Sequence, residues 1–248
     1  DGSVVVVGTF YGDAAYVFRT DDDGATYVQV AKLTAAEAEA AASDPFGRSV
    51  AIDGGTVVVG ASHEDGGSGA VYVFRATDGG ATYSQVARLT AADATAGDFF
   101  GVSVAIDGNF VAVGAPGCHG SGAPGYNWAG RGCSTLATGA VVIFRISDGG
   151  RTYCQVAKLN ATDAAARDYF GYSVAVNDGV VVIGAYGDND AGSNSGSAYV
   201  FELPENDADD SCSGLPESLV FGSGSGSSGG DSKEECQTDL ESSEAVFL

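Results

Sequence analysis

The sequence predicts an all-β fold, a β-propeller built of four-stranded antiparallel blades, on three observations. Short segments rich in Val, Ile, Tyr and Phe recur, and Asp-Gly or Gly-Gly clusters that favour tight hairpins separate them. Four motifs repeat in a fixed order, with a period that is typical of blade arrays. The strands count to three, four, four and three, which predicts about 3.5 blades and an incomplete or open ring.

Each strand of a unit has its own motif. The first strand carries Phe-Gly-x-Ser-Val-Ala, beginning at Phe46, Phe100 and Phe170. The second is an apolar run that ends in Gly, the third ends in Phe, and the fourth carries Thr-Tyr-x-Gln-Val-Ala-Lys/Arg-Leu. Since Val57–Val59 and Val180–Ile183 do not alternate with polar residues, we expect neighbouring sheets to cover both faces of these strands.

These motifs divide the chain into a repeat region and a tail. Residues 1–202 hold a partial unit (1–45), two full units (46–99 and 100–169) and a second partial unit (170–202). Residues 203–248 contain 11 acidic residues against one Lys, and the run Gly222 to Gly230 is only Gly and Ser. This composition is typical of an acidic low-complexity tail or linker.

Charge and hydropathy exclude two classes of partner. With 33 acidic and 11 basic side chains the formal net charge is −22, which disfavours nucleic acid and anionic membrane surfaces. No apolar stretch approaches the roughly 18 residues that span a bilayer, so we expect no membrane insertion within this segment. The chain has no Met and starts inside an apolar run, as expected for a mature product or a piece of a longer protein.

The connections predict which end of the blades carries function. Short Asp-Gly turns join strands 1 to 2 and 3 to 4, whereas the 2-3 loops and the 4-1 linkers are long and acidic. In an up-and-down meander both long kinds lie at one end, and loops on a rigid scaffold usually carry binding sites. The linkers also resemble capping boxes, at Thr34-x-x-Glu37, Thr90-x-x-Asp93 and Asn160-x-x-Asp163, so we expect a helical turn in each.

The 2-3 loop at residues 188–197 is the predicted metal site. Its Asp188, Asp190 and Asn194 offer carboxylate and amide oxygens at nearby positions, with Gly192 allowing a sharp turn. A hard cation with 6 to 8 oxygen ligands fits this set, so Ca²⁺ is expected before Mg²⁺. The alternative is a solvated polar loop. The group His63-Glu64-Asp65 is a weaker candidate, and we expect its His to be exposed.

Three aspartates recur two residues before the Phe of the Phe-Gly motif, at Asp44, Asp98 and Asp168. Because the position repeats with the unit, we expect these side chains to cap a turn that leads into the first strand rather than to bind a cation.

The longest 2-3 loop, from Gly117 to about Leu136, is a second candidate surface. Cys118 and Cys133 bracket Tyr126 and Trp128, so a disulfide there would close a loop that carries an aromatic platform for a sugar ring or a protein. A neutral insertion is the alternative. Cys154 stands at a strand position and is expected to pack, whereas Cys212 and Cys236 are candidates to pair in the tail.

Catalytic motifs are lacking. The Gly/Ser run matches G-x-S-x-G by chance, since no strand precedes it and no helix follows. With two His in the chain, no Ser-His-Asp or Cys-His set converges, so no catalytic residue is assigned. Asn160-Ala161-Thr162 is a glycosylation sequon, which matters only if the protein is secreted.

The ordered pair Phe100-Gly101 and Gly114-Ala115-Pro116 resembles the FG-GAP repeat, the unit of the integrin α-chain N-terminal β-propeller. Other units read Gly60-Ala61-Ser62 and Gly184-Ala185-Tyr186 at the second motif. The resemblance covers most of residues 1–202. It implies an extracellular or cell-surface adhesion or ligand-binding module, often cation dependent.

One departure limits what the resemblance implies. Integrin-type units carry a calcium loop between the first two strands, and here that connection has shrunk to short turns such as Ile52-Asp53-Gly54-Gly55. The calcium site of the family is therefore not carried over there. A cation in this chain must use the 2-3 loops instead.

These observations lead to one expected function and two alternatives. We expect a non-enzymatic module outside the cell that binds a protein or glycan through its 2-3 and 4-1 loops, with Ca²⁺ assisting. The first alternative is a propeller domain appended to a hydrolase, a phospholipase or glycosidase, whose catalytic part is absent from this sequence. The second is a structural surface or cell-wall protein.

Overall fold

The fold is known from a computed structural model, which describes residues 3–9, 12–35, 46–117, 138–193 and 195–203. The strands in these residues form four antiparallel sheets, in each of which neighbouring strands are consecutive in the chain. The sheets hold three, four, four and three strands, which confirms the predicted fold class and strand count.

The strand bounds are as follows. Sheet 1 holds β1 (Val4–Gly8), β2 (Ala15–Arg19) and β3 (Val28–Leu33). Sheet 2 holds β4 (Ser49–Asp53), β5 (Thr56–Ala61), β6 (Ala70–Thr77) and β7 (Thr82–Leu89). Sheet 3 holds β8 (Ser103–Asp107), β9 (Phe110–Ala115), β10 (Ala140–Ser147) and β11 (Thr152–Leu159). Sheet 4 holds β12 (Ser173–Asn177), β13 (Val180–Ala185) and β14 (Ser197–Glu202).

The Asp-Gly clusters form the predicted tight turns. Asp53 pairs with Thr56 across a two-residue hairpin turn between β4 and β5. The 3-4 turns are held by an Asp that binds a Thr four residues later. Asp22 accepts hydrogen bonds from the Thr26 amide (2.8 Å) and hydroxyl (2.6 Å), and these bonds lower the pKa of Asp22 to about 2. The Asp and Thr of the turn motif therefore fix its geometry.

The sheets stack in chain order with an apolar core between each pair, and the first strands β4, β8 and β12 pack one on the next. Among the described strands, those of sheet 4 do not stack on sheet 1, so the array is open. The expectation that both faces would be covered is right for β5, where Val57–Val59 are fully buried. It is wrong for β13, where Val182 is 39% exposed, because no described sheet follows sheet 4.

The Phe-Gly-x-Ser motif joins consecutive sheets. Phe100 and Phe170 are fully buried at the start of sheets 3 and 4. The hydroxyl of Ser103 donates to the carbonyl oxygen of Gly171 in the next sheet at 2.8 Å, and Ser49 makes the same bond to Gly101 at 2.7 Å. The motif therefore supplies both a core side chain and an inter-sheet hydrogen bond.

The long connections meet at one end of the array, which we call the loop face and define as residues 62–69, 90–102, 160–172, 186–193 and 195–196. The amide of Gly117 donates to the carbonyl of Asp98 (3.0 Å), and that of Gly187 donates to Asp168 (3.1 Å), so each linker contacts the following 2-3 loop. This confirms that both kinds of long connection share one end.

The predicted helical turns in the linkers are wrong where the structure describes them. After Thr90 and after Asn160 the backbone makes two successive turns instead, and the bonds from Ala94 N to Ala91 O and from Asp98 N to Thr95 O span three residues each. The linker after Thr34 lies largely outside the described residues. One turn, α1 (Glu64–Gly67), occurs instead in the loop between β5 and β6, and its Asp65 and Gly66 have positive φ angles of 51° and 74°, so it is not a regular helix. No helix in the described ranges has the length and apolar character needed to cross a membrane.

Candidate cation and ligand site

Three carboxylates converge on the loop face of sheet 4. Asp163 comes from the linker between sheets 3 and 4, whereas Asp188 and Asp190 come from the loop between β13 and β14. One oxygen from each side chain lies within 4.8 Å of the others. Asp188 is 2% exposed, and the other two are exposed to solvent. The cluster therefore has a buried base and an open rim.

Backbone hydrogen bonds position the loop that carries Asp188. The amide of Asp188 donates to the Ala185 carbonyl at 3.3 Å, and the Asp188 carbonyl accepts from Gly196 at 3.0 Å. One carboxylate oxygen of Asp188 accepts from the Asp190 amide at 2.8 Å. The loop thus folds back on Asp188, which brings Asp190 beside it.

Tyr199 of β14 links the two sources of carboxylate. Its hydroxyl lies 2.9 Å from Asp188 Oδ2 and 3.0 Å from Asp163 Oδ1. Burial, and then the hydrogen bonds to Asp188 and Asp163, raise the pKa of Tyr199 well above its usual value, so the hydroxyl stays protonated. Because a hydroxyl has one proton to donate, it cannot fully satisfy both oxygens. Because the hydroxyl is neutral, the negative charge of the carboxylates around Tyr199 is not offset.

Sheet 2 contains a related arrangement that an arginine partly neutralises. There Tyr72 occupies the position of Tyr199 and donates to Glu64 at 2.8 Å. Arg88 of β7 then pairs with both Glu64 (2.5 Å) and Asp65 (2.7 Å). Burial and the bond to Glu64 raise the pKa of Tyr72 to about 12. An arginine from the fourth strand therefore offsets one of the two loop charges of sheet 2 and contacts both carboxylates.

Sheet 4 has no described fourth strand, and so no counterpart of Arg88 among the described residues. Within the part of the chain that the structure describes, no Lys or Arg pairs with Asp163, Asp188 or Asp190. Oxygen ligands that each lie about 2.3–2.6 Å from one calcium ion are up to about 5 Å apart, so a 4.8 Å cluster fits around one ion. With one oxygen from each carboxylate, at least three of the 6 to 8 coordination positions remain for water or a ligand.

Asp168 lies next to this cluster, and the charges of the cluster affect its pKa. Its side chain is 4% exposed, and its carboxylate accepts a 2.5 Å hydrogen bond from the Ala165 amide. Burial, together with the charges of Asp188, Asp190 and Asp163, raises the pKa of Asp168 above its usual value. A raised pKa means that the ionised form is less favourable in the folded chain than in the unfolded chain.

Asp168→Asn is therefore expected to stabilise the metal-free chain near neutral pH, with a gain of about 1–3 °C in melting temperature. Ionised Asp168 costs folding free energy above its folded pKa, and that cost disappears as the pH falls through this value. The gain should accordingly shrink toward about pH 4. Thermal melts in EGTA at several pH values measure it.

The matched control is Asp98→Asn, at the same position one repeat earlier. Asp98 accepts hydrogen bonds from both the amide and the hydroxyl of Thr95, at 2.7 and 2.9 Å. We expect no gain from this variant, because an amide cannot accept both bonds equally well. An equal gain in both variants would contradict the role assigned to the cluster.

The other predicted residues have mixed outcomes. The cap interpretation is confirmed for Asp98 and Asp168, which bind the turns before β8 and β12. Asn160 is exposed at the end of β11. The following lie outside the described residues: Asp44, Cys118, Tyr126, Trp128, Cys133, Asn194, Cys212 and Cys236.

The expectation for His63 is wrong, and that for Cys154 is confirmed but incomplete. His63 is 5% exposed rather than open to solvent, because its ring packs on Phe99 at 5.1 Å between centroids and its Nδ1 lies 3.1 Å from the Ser62 hydroxyl. Cys154 packs beside the core between sheets 3 and 4, as its strand position predicts, but it is also disulfide-bonded.

Sequence reasoning missed Asp163 and Tyr199. A repeat-by-repeat comparison contains the signal, since Tyr72 and Tyr199 stand at the same position of the third strand. The residues that these tyrosines contact, Glu64 and Asp188, likewise stand four residues after the Gly of the second motif. The missing information was that a tyrosine at this position reaches the loop carboxylate.

Comparisons with known proteins agree with the repeat organisation. A sequence model of the FG-GAP repeat matches residues 27–74, 83–125 and 153–201, which together make up more than half of the chain. Among curated proteins, none matches this sequence significantly.

Several solved structures are similar in shape at low identity. The crystal structure of Sqt1 from Saccharomyces cerevisiae aligns with TM-score 0.45 and 12% identity over 81% of this chain and 41% of that chain. The NanB sialidase from Streptococcus pneumoniae, in complex with 2-[(3-chlorobenzyl)ammonio]ethanesulfonate, aligns with TM-score 0.43 and 14% identity over 78% of this chain and 27% of that chain. This chain thus spans less than half the length of either protein. Because the FG-GAP repeat model matches three successive regions of the sequence, the chain belongs to the FG-GAP repeat family.

Proposed function

We propose that this chain is an extracellular or cell-surface module that binds a protein or glycan ligand at its loop face with the assistance of Ca²⁺, and that it is not itself an enzyme. The observation that carries the proposal is the convergence of Asp163, Asp188 and Asp190 within 4.8 Å. A bound cation would offset the negative charge left at Tyr199, as Arg88 offsets that of Glu64 in sheet 2.

The open rim of the cluster supports a binding role. Asp163 and Asp190 are exposed, so a cation held by them would keep coordination positions on the solvent side. Hydroxyl groups of a sugar or a carboxylate of a protein ligand are oxygen donors that Ca²⁺ accepts. In this proposal the chain supplies the three carboxylate ligands, and the bound protein or glycan completes the coordination sphere of the ion.

The ring stack beside the site supports an ordered loop. Tyr186 leads directly into the Asp188 loop, and its ring stacks on Tyr169 with 5.0 Å between centroids and 13° between planes. Tyr172 packs edge-on against the ring of Tyr186, with 4.6 Å between centroids. Because both partners belong to the linker that also contains Asp163, the stack holds loop and linker together.

Calcium is expected to raise the melting temperature of the chain by at least about 3 °C at saturation, and EGTA should reverse the shift. The physical reason is that the ion binds the folded cluster and not the unfolded chain. Asp188→Asn should abolish the shift. Its one amide oxygen can replace only one of the two acceptors that bind the Tyr199 hydroxyl and the Asp190 amide, so the melting temperature of the variant in EGTA serves as its own baseline. Differential scanning calorimetry of the whole chain provides the measurement.

The matched control is Glu64→Gln, at the corresponding position in sheet 2, which should keep the full calcium response because Arg88 already pairs with that loop. Ca²⁺-dependent binding on a glycan or protein array, lost in Asp188→Asn, would then identify the ligand class. A melting temperature unaffected by Ca²⁺ and EGTA in the unsubstituted chain would refute the calcium part of the proposal.

A further inference from the structure

The exposed side of sheet 4 contains an open groove of about 330 Å³ at the loop face. Its lining includes Ser173 of β12, Gly184 of β13, and Gly196 and Ala198 beside and in β14, with Tyr172 and Tyr186 at its edge. Sheets 2 and 3 have the corresponding residues at the same place in the fold, but there the groove is filled. What fills it is the Phe-Gly segment that opens the following sheet.

Backbone contacts define how the segment sits on sheets 2 and 3. The amide of Phe100 donates to the Ser68 carbonyl at 3.2 Å, and the amide of Phe170 donates to Thr138 at 3.1 Å. The position of Ser68 and Thr138, directly before the Gly that precedes the third strand, is held in sheet 4 by Ser195. Its carbonyl is the corresponding acceptor for an incoming amide.

A serine and a glycine complete the binding site for this segment, which we call the seat. The carbonyl of the incoming Gly accepts from Ser49 on sheet 2 and from Ser103 on sheet 3, and Ser173 is their counterpart on sheet 4. A Cβ at Gly60 or Gly114 would overlap that same carbonyl oxygen, so these glycines leave the room for it. At Gly184 no backbone atom is close, and a Cβ would meet only the Ser173 side chain.

The strand beside the groove is apolar on the same side. Val182 of β13 is 39% exposed and Val180 is 36% exposed. Val58, at the position of Val182 in sheet 2, is fully buried and belongs to the core between sheets 2 and 3. Sheet 4 therefore presents the apolar half of an interface that occurs three times within the chain.

We propose that this groove is a docking site for the leading Phe-Gly-x-Ser segment of a further FG-GAP repeat. The seat has the backbone acceptor, the serine donor and the glycine clearance that the chain's own Phe-Gly segments use on sheets 2 and 3. The interface would continue one that the chain already contains.

A labelled peptide with the sequence of residues 97–107 is the probe. We expect it to bind the full chain with a Kd of about 10–100 μM in fluorescence anisotropy, since a free peptide must be ordered on binding. The same peptide with Ala in place of Phe100 should bind at least about tenfold more weakly, because it loses the buried ring.

Gly184→Ala is the decisive variant of the chain. The added methyl meets no backbone atom of the chain itself, so the variant should fold, but it occupies the space of the incoming carbonyl and should weaken peptide binding at least about tenfold. Val86→Asp, on an exposed position of β7 in sheet 2, is the control and should bind like the unsubstituted chain.

Two results would overturn the proposal. Equal binding of the peptide to the unsubstituted chain and to Gly184→Ala, with both folded by calorimetry, would show that the groove is not the seat. Binding that appears only after Phe221→Ala would show that the chain's own Phe221-Gly222 dipeptide takes the groove, which would replace a further repeat as the occupant.

Discussion

Gly114→Ala is expected to lower the free energy of unfolding by about 3 kcal/mol or more and the melting temperature by about 6–12 °C. The Cβ of alanine would overlap the carbonyl oxygen of Gly171 and the hydroxyl of Ser103. The first of these is a backbone atom of the next sheet, which the core between sheets 3 and 4 holds in place. The strain cannot be relieved without separating the two sheets.

The chain offers a matched control for this prediction in Gly184→Ala. Gly184 stands at the same position one repeat later, but a Cβ there meets only the flexible end of the Ser173 side chain. We expect this variant to lose less than about 1 kcal/mol. Urea melts of both variants measure the difference, and equal losses would show that the glycine is needed for a local reason rather than for sheet stacking.

The repeats made the fold predictable. Each strand has its own motif, and the Asp-Gly turns leave a meander as the short path between strands, so local sequence was enough to place all the described strands. Stacking was predictable for β5, since three successive buried valines require cover on both sides. It was not predictable for β13, because Val180–Ile183 reads the same in sequence whether or not a following sheet is present.

The site was predictable only in part. Asp188 and Asp190 are close in sequence, so loop composition pointed to them. Asp163 lies 25 residues before Asp188, and only the stacking of sheet 4 on sheet 3 brings the two carboxylates to one tyrosine hydroxyl. The helical turns expected after Thr90 and Asn160 were wrong, because the backbone there makes two successive turns, and Asp98 or Asp168 caps the second of them.

Phe170→Ala is expected to cost about 3–5 kcal/mol of unfolding free energy. The side chain is fully buried, and its ring packs edge-on against Tyr199 (5.2 Å between centroids) and Phe201 (6.0 Å) in the core between sheets 3 and 4. Removing the ring leaves a cavity that β-sheet backbones cannot collapse to fill, since inter-sheet hydrogen bonds fix their spacing. Urea denaturation followed by circular dichroism gives the free energy.

Two further variants test whether the loss comes from the buried ring of Phe170 and not from any substitution of an apolar residue. Phe170→Leu should lose clearly less than Phe170→Ala, because it keeps much of the buried apolar volume. Val86→Ala, at a 43% exposed position of β7, should lose less than about 1 kcal/mol. Because Phe170 supports Tyr199, the alanine variant should also weaken any calcium-induced shift in melting temperature more than the leucine variant does. A Phe170→Ala chain as stable as Val86→Ala would mean that the Phe of the motif is not what anchors each repeat to its sheet.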